Sequence, residues 1–520
     1  MIRLFFFFVF LASAQDGSRW WRHVEFLADD KLEGRNTGSE GHRKAANYVA
    51  EQFERAGLKP AGVEGYIQPV KFKTRQIDES RSSVALVRNG KAEPLTLGED
   101  VTIGLRTDPA ATVDAPLVFA GYGLSVPEEK YDDFTGLDVR GKIIVYLSGG
   151  PPSIPGALSS HYQSAGERSA NLTRLGVVGT CVIQNPKTMD IPWARSTLAR
   201  LAPAMSLADA SLNESGGQKI GLGINPAHAD KFLNGSGHTF NEILELANAG
   251  RPLPHFVIPA SLKATVAVKR GEVESQNVAA IYPGADPQLR NQYVVMSAHL
   301  DHIGVGEPIH GDRIYNGAMD NASGVAAMLD IAEMLHDTHA HPRRSILFVA
   351  VTGEEKGLLG SRFFANHPTV DPKSIVADIN SDMFLPLFPL DVLTVYGLDE
   401  SDLGDDVREV AKQMGIRVQG DPEPLRNVFI RSDQYSFIKQ GVPSLSLKVG
   451  YEKGSPQEQI AKTWLKERYH APSDDLQQPI DKRAAGKFDA LAGKLLERIA
   501  DQPARPQWKA NSFFKRYAMR

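Results

Sequence analysis

The chain has 520 residues, 42% of them hydrophobic and 23% charged, with a formal net charge of -4. This length exceeds one ordinary core and predicts two or three domains, while the mild acidity argues against nucleic acid as a general partner, which needs a basic field. A single cysteine, Cys181, excludes an intramolecular disulfide, so an exported chain of this size must rely on its core.

The N-terminus reads as a secretory signal. Arg3 supplies the charge, residues 4–11 the apolar stretch, and Ala12-Ser13-Ala14 the small-residue cleavage pattern, leaving Gln15 as the first mature residue. The apolar run is shorter than the roughly 20 residues a membrane span needs. The mature protein is expected to be exported, periplasmic or extracellular, without stable membrane insertion. A helix is predicted over 20–28 and a glycine-punctuated loop over 30–38. Ser39 then caps a helix carrying Ala45, Ala46, Val49, Phe53 and Ala56, which Gly57 stops. A strand follows at 66–72. From 80 to 269 short β-branched runs (115–120, 141–147) alternate with turn clusters, a helix is predicted over 164–175, and Cys181 falls in a buried strand at 177–183. From 278 onward strands (293–297, 345–352, 374–379, 392–396, 444–449) alternate with helices (322–335, 354–366, 481–500). That rhythm predicts an α/β fold with a largely parallel sheet covered on both faces.

Ligands of such sheets gather beyond the carboxyl ends of the strands. His299 and Asp301 follow one strand, Glu354 and Glu355 the next, and Asp382 a third. Asp320 precedes a helix, and His470 lies in a late loop. Alone, Asp320 reads as a helix N-cap and Glu354-Glu355 as first-turn acids favouring a helix dipole. His302, His336, His339 and His341 read as solvated or structural. Jointly, the ordered set is the inventory of a two-metal hydrolase. Zinc accepts imidazole nitrogen and carboxylate oxygen, although cobalt or manganese can substitute. Asp320 would bridge, His299 and Asp382 complete one metal, and Glu355 and His470 complete the other. Glu354 would take a proton from water. The Asp301 carboxylate would accept a hydrogen bond from the second ring nitrogen of His299.

Several separated motifs then resemble the dizinc aminopeptidase family that also contains glutamate carboxypeptidase and the transferrin receptor. They are Ser297-Ala298-His299-Leu300-Asp301-His302, Asn316-Gly317-Ala318-Met319-Asp320-Asn321-Ala322-Ser323-Gly324, Thr352-Gly353-Glu354-Glu355-Lys356-Gly357, Asn380-Ser381-Asp382-Met383, Arg431-Ser432-Asp433-Gln434 and Tyr469-His470-Ala471-Pro472-Ser473-Asp474. The resemblance implies a three-layer α/β/α zinc-peptidase fold with a mostly parallel, mixed sheet. It implies two zinc ions on the residues just named, Glu354 as base, and a cis peptide at Asp320-Asn321. Leu32-Glu33-Gly34-Arg35-Asn36-Thr37-Gly38-Ser39 resembles the segment that packs on the peptidase core. Gly121-Tyr122-Gly123-Leu124 and Asp138-Val139-Arg140-Gly141-Lys142-Ile143 resemble an inserted protease-associated domain. The expected organisation is a signal at 1–14, peptidase parts at 19–79 and 270–505, the β-rich insert at 80–269 and a tail at 506–520. Many relatives carry histidine at Gln434, and some place a tyrosine near Phe429 that polarises the substrate carbonyl. Arg431 would meet a substrate carboxylate or amide oxygen, or form a structural salt bridge. The implied activity is an exopeptidase acting on peptides, an aminopeptidase first and a carboxypeptidase second. A one-metal glutaminyl cyclase or a non-enzymatic receptor-like module follows at a distance.

Overall fold

The computed structural model describes residues 16–519, and the expected signal and its cleavage site lie outside the described residues. No helix among them is long and apolar enough to cross a membrane. The chain divides into two units. The first is the chain up to Lys71 with Glu274–Pro422 and everything from Val428; the second is Phe72–Val273 with Glu423–Asn427.

In the first unit the elements that position the site are, in chain order, α1 (Ser18–Leu27), α2 (Glu40–Arg55), β1 (Val268–Tyr282, which belongs to this unit from Glu274 onward), β2 (Tyr293–His299), α3 (Ser323–Asp337), β3 (Ser345–Val351), β4 (Ile375–Asn380), β5 (Val392–Tyr396), β6 (Arg417–Gln419), β7 (Ser444–Val449) and α4 (Lys482–Asp501). The strands lie in the order β1-β3-β2-β4-β7-β5-β6. Pairs β3–β2, β2–β4, β4–β7 and β5–β6 are parallel, while β1–β3 and β7–β5 are antiparallel. The sheet is therefore mixed with a parallel centre. Successive strand side chains point to opposite faces, and both faces are covered. Val294, Met296, Ala298, Ile346, Phe348 and Ala350 pack with residues of α1, α2, α3 and α4. Val295, Leu347, Val349 and Val351 pack on the other face against Phe364 and Phe437. Apolar residues along β2 and β3 are thus a requirement of two-sided burial.

Helix ends follow their side chains. Ser39 accepts from the His42 amide at 3.1 Å and Asp481 from the Ala484 amide at 3.0 Å, each satisfying a donor that the first helical turn leaves free. Two predicted helix starts differ. The helix predicted over 354–366 is only Leu359–Asn366. Gly353 (φ 68°), Gly357 (φ 109°) and Leu358 (φ 59°) take the preceding backbone out of the helical region, so Glu354 and Glu355 sit in a turn and not on a helix. Asp320 is not an N-cap either, since α3 starts at Ser323 with no side-chain cap, and Asp320 (φ -112°, ψ 89°) lies in non-helical backbone before it.

The second unit holds an eight-stranded sheet ordered Lys91–Leu95, Ser83–Arg88, His255–Thr265, Thr112–Ala120, Ile143–Leu147, Gly179–Ile183, Ile220–Ile224, Val101–Ile103. Cys181 is fully buried in it, and burial pushes its thiol up. Helix Ala165–Leu175 starts at the Ser164 cap and ends at Gly176 (φ 74°).

One feature of the first unit makes its stability depend on pH. Asp489 of α4 and Asp330 of α3 are both fully buried. Arg19 of α1 pairs with Asp330 and reaches Asp337 at 2.8 Å. Burial, then Asp330, hold the Asp489 carboxyl well above the carboxylate range. The contribution of a group raised in this way is fully present below the unfolded-state value, about 3.9 for aspartate, and is lost as pH rises through the folded value. Asp489→Asn keeps a neutral group there. Its thermal midpoint is expected to vary less with pH between about 4 and 9, and to equal or exceed the parent's at the alkaline end; a slope equal to the parent's would refute this.

Candidate metal centre

Three strand ends and two loops meet at one rim. His299 ends β2, Asp382 follows β4, and the Glu354-Glu355 turn follows β3. The distances divide the residues into two groups sharing Asp320. His299 Nε2 is 3.3 Å from Asp320 Oδ1 and 3.4 Å from Asp382 Oδ1. His470 Nε2 is 3.2 Å from both Asp320 Oδ2 and Glu355 Oε2. Asp320 therefore presents one oxygen to each group.

These spacings test whether the residues fit metal ions. Donor atoms about 2.0–2.1 Å from a tetrahedral zinc lie roughly 3.3–3.4 Å apart, whereas a charge-assisted hydrogen bond closes to about 2.7–2.9 Å. All four contacts lie near the first figure. His302 behaves otherwise. Its Nδ1 is 2.7 Å from Glu355 Oε1 and 3.8 Å from Asp320 Oδ2. His302, Asp320 and Glu355 are close enough together to group as donors, but the 2.7 Å approach of His302 to Glu355 is an ion-pair contact closer than two donors on one zinc stand, whereas His470 keeps that wider spacing. His302 is fully buried, so it is not a solvated histidine.

Electrostatics give the same answer. Burial lowers His299, but Glu354, Asp320 and Asp382 outweigh it and hold the imidazole well above its ordinary range. Burial likewise lowers His470, but Glu355 and Asp320 outweigh it and raise the imidazole to about 10. Burial pushes Asp433 up to about 7 against the pull of His299. Burial also raises Glu354 well above the carboxylate range; His299 pulls it down, while Glu355, Asp382 and Asp433 push it up. A buried space holding so many carboxylates must have cations nearby or keep protons on some of them.

Supports come from distant segments. The Asp320-Asn321 peptide is cis, as the resemblance implied. The Asp474 carboxylate accepts the Met319 and Asp320 amides at 2.9 and 3.0 Å. The Asn321 side chain donates to the Ser381 carbonyl at 2.9 Å and accepts from the Met383 amide at 3.2 Å, tying Asp320 to both sides of Asp382. Buried Arg35 donates to the carbonyls of Leu300 (2.9 Å), Asn316 (2.7 Å) and Gly317 (3.0 Å), and to that of Leu27. Its charge also offsets Asp474, Asp301, Asp320 and Glu355.

Asp301 departs from expectation. His299 Nδ1 lies 3.0 Å from the backbone carbonyl of Asp301, not from its carboxylate. Asp301 lies past the end of β2, where the chain no longer keeps the strand alternation. Its carboxylate instead accepts from Thr37 Oγ1 at 2.8 Å and from the Glu354 amide at 3.1 Å. Asp301 thus holds the turn that carries the acid pair.

Two of the expected substrate residues are placed apart. Phe429 is 6% exposed with its ring edge against Phe514, so the structure does not bring it to the cluster. Gln434 is buried, accepting from Asn380 Nδ2 at 2.7 Å and donating to the Phe429 carbonyl at 2.7 Å. Arg431 is exposed, and its charge reaches Tyr469. Tyr469 packs on His470 with ring centroids 4.0 Å apart. Sequence reasoning assigned no role to Arg35, Thr37, Asn321, Tyr469 or Asp474, although each lies inside one of the family-like motifs. That position was their signal.

A family model described as peptidase family M28 matches residues 277–496. Across 249 residues the chain is 27% identical to a probable leucine aminopeptidase 2 of Aspergillus oryzae, covering 45% of each chain. Across 240 residues it is 27% identical to leupeptin-inactivating enzyme 1 of Streptomyces exfoliatus, covering 44% of this chain and 50% of that one. The chain thus matches about half the length of these curated relatives. Among solved structures, an aminopeptidase from Aneurinibacillus sp. strain AM-1 is similar over 95% of this chain and 96% of its own, with TM-score 0.56 and 19% identity. A zinc aminopeptidase from Bacillus subtilis is similar over 93% and 95%, with TM-score 0.50 and 18% identity. At these identities the likeness shows the M28 aminopeptidase-like fold.

The Thr37–Asp301 contact gives a test. Thr37→Val removes the hydroxyl and keeps the shape, and is expected to weaken zinc retention about 10–100-fold, the usual scale for losing a hydrogen bond behind a metal site. Thr37→Ser should restore it. Chelator competition measures this; equal retention in Thr37→Val and the parent would remove Thr37 from the centre's support.

Proposed function

We propose that this protein is an exported two-zinc aminopeptidase that hydrolyses the N-terminal peptide bond of peptides. The observation that carries the reading is the arrangement of Asp320, with one carboxylate oxygen on each of two imidazole-carboxylate groups at metal-donor spacing. The match of residues 277–496 to the peptidase family M28 model and the aminopeptidase names of relatives support it. Export rests on the leader-like residues 1–14. The second unit is read as a protease-associated insert.

His299, Asp320 and Asp382 would hold one ion, and Asp320, Glu355 and His470 the other. Bound there, the two ions would supply Lewis acidity toward the carbonyl and toward the attacking water. Glu354 is free for proton work, because its neighbour Glu355 faces His470 and His302 and its own amide is anchored on Asp301. It would take the proton from water and hand it to the leaving amine. Tyr469, packed on His470, offers a phenol hydroxyl to the substrate carbonyl oxygen. This role falls to it because Phe429 carries no hydroxyl and is buried elsewhere. The acid-rich surroundings of Glu354, Asp382 and Asp433 favour a free cationic amine on the substrate. A terminal carboxylate would need a cluster of cations, whereas the basic groups felt at the centre are Arg431 beside Tyr469, Lys448 toward Asp382 and Arg35, whose donors go to carbonyls.

Glu354→Gln is expected to retain two zinc ions per chain while kcat falls by about 10²–10⁴, the usual worth of a general base. Metal analysis and turnover of an aminoacyl amide on the same sample decide this; near-parental turnover would remove Glu354 from the mechanism. In the parent, the free-amine substrate should be cleaved and its N-acetylated counterpart spared. Cleavage of N-acetylated dipeptides in preference would select the carboxypeptidase reading, and one zinc per chain the cyclase reading.

A further inference from the structure

The second unit contains a cavity of about 340 Å³ whose lining includes Lys73, Arg75, Asp108, Ser206, Arg270 and Glu272. Lys73 and Arg75 stand two apart on strand Ile67–Ile77, a spacing that puts both on one face of the sheet. Ser206, on strand Ala204–Leu207, is the cross-strand partner of Lys73, which brings its hydroxyl to the same face.

The charges here do not cancel. Arg270 holds Asp108 in a two-pronged contact, Nη1 to Oδ2 at 3.0 Å and Nη2 to Oδ1 at 2.8 Å. That leaves Arg75 over. Its nearest carboxylate oxygen is Asp108 Oδ2, 3.9 Å from Nη1 and beyond hydrogen-bond reach, although its side chain is only 11% exposed. Its Nε is buried without a hydrogen-bond partner among the described residues. Burial lowers Arg75, Asp108 opposes the fall and Arg270 adds to it. Neither Lys73 nor Glu272 forms an ion pair among the described residues. A buried donor left without a partner is unfavourable. A guanidinium in that position is matched in shape and charge by a planar or tetrahedral oxyanion.

We propose that this cavity binds a small oxyanion, a carboxylate or a phosphate, through the Arg75 guanidinium, the Lys73 ammonium and the Ser206 hydroxyl. The site uses residues of the second unit only and does not depend on the hydrolytic reading. A terminal or side-chain carboxylate of a peptide and free phosphate share the required chemistry.

The test uses the full chain with its metal centre intact. Inorganic phosphate, propionate and uncharged propionamide are titrated at constant ionic strength, with calorimetry and the thermal midpoint as readouts. The parent, Arg75→Gln and Lys73→Gln are compared, so that any response at the metal centre is common to all three. The parent is expected to show a saturable response to phosphate, propionate or both, and none to propionamide. Affinity should fall at least about tenfold, equivalent to about 1.4 kcal/mol, in each variant. A response to phosphate alone identifies a phosphate site; a response to both identifies a carboxylate site that also admits phosphate. Lys73 is exposed, so Lys73→Gln decides the matter even where Arg75→Gln fails to fold. No saturable response in the parent, or equal affinity in the parent and Lys73→Gln, overturns the proposal.

Discussion

Everything in the first unit answers to a single buried carboxylate that faces two ways. Asp320 gives Oδ1 to the His299 side and Oδ2 to the His470 side, and each direction is useful only if the backbone beneath it does not move. Hence the density of restraint around it. Asp474 takes its amide, Asn321 ties it to the residues flanking Asp382, and Arg35 holds the carbonyls just upstream. A side chain with ordinary rotamer freedom could not serve two partners at once. The cost of burying so much negative charge is met partly by imidazoles and partly by the Arg35 guanidinium, which gives its donors to carbonyl oxygens.

The scaffold makes such a site possible. Parallel strands deliver their carboxyl ends to the same rim, so β2, β3 and β4 bring His299, the acid-pair turn and Asp382 together without long loops. Burial of both sheet faces makes those strand ends rigid, since Ala298 and Val351 pack on opposite sides directly beneath the rim. Precision is inherited from the core, and the loops add only the last residues.

Much of this was legible in the residues. Strands 392–396 and 444–449 were read to the residue because turn-forming residues bound them, Asp391 and Gly397 the first and Pro443 and Gly450 the second. The centre's donors were legible because imidazoles and carboxylates set at successive strand ends are a pattern that surface polarity alone rarely produces. What escaped depended on backbone direction. Nothing local in Glu354-Glu355 distinguishes a helix start from a turn until Gly353, Gly357 and Leu358 are seen at positive φ. The histidine-aspartate pair at 299 and 301 suggested a side-chain contact; the chain bends past the strand end and presents a carbonyl instead. His302 could equally have been a solvated histidine, because sequence does not show that its neighbour is a buried acid. Phe429 was linked to substrate by alignment with relatives, yet its ring packs on Phe514.

The Thr37–Asp301 contact joins residues 264 apart in the chain, and Asp474 meets Asp320 across 154. The centre is therefore closed by both ends of the first unit's sequence, and its two halves are separated by an entire second unit. The stretch 277–496 contains every proposed donor but not the clamp at residues 35–37. Assembly of the hydrolytic machinery is thereby coupled to completion of the whole chain. A nascent or partly unfolded molecule carries the proposed donors in sequence without their alignment, so the centre takes shape only as folding is completed.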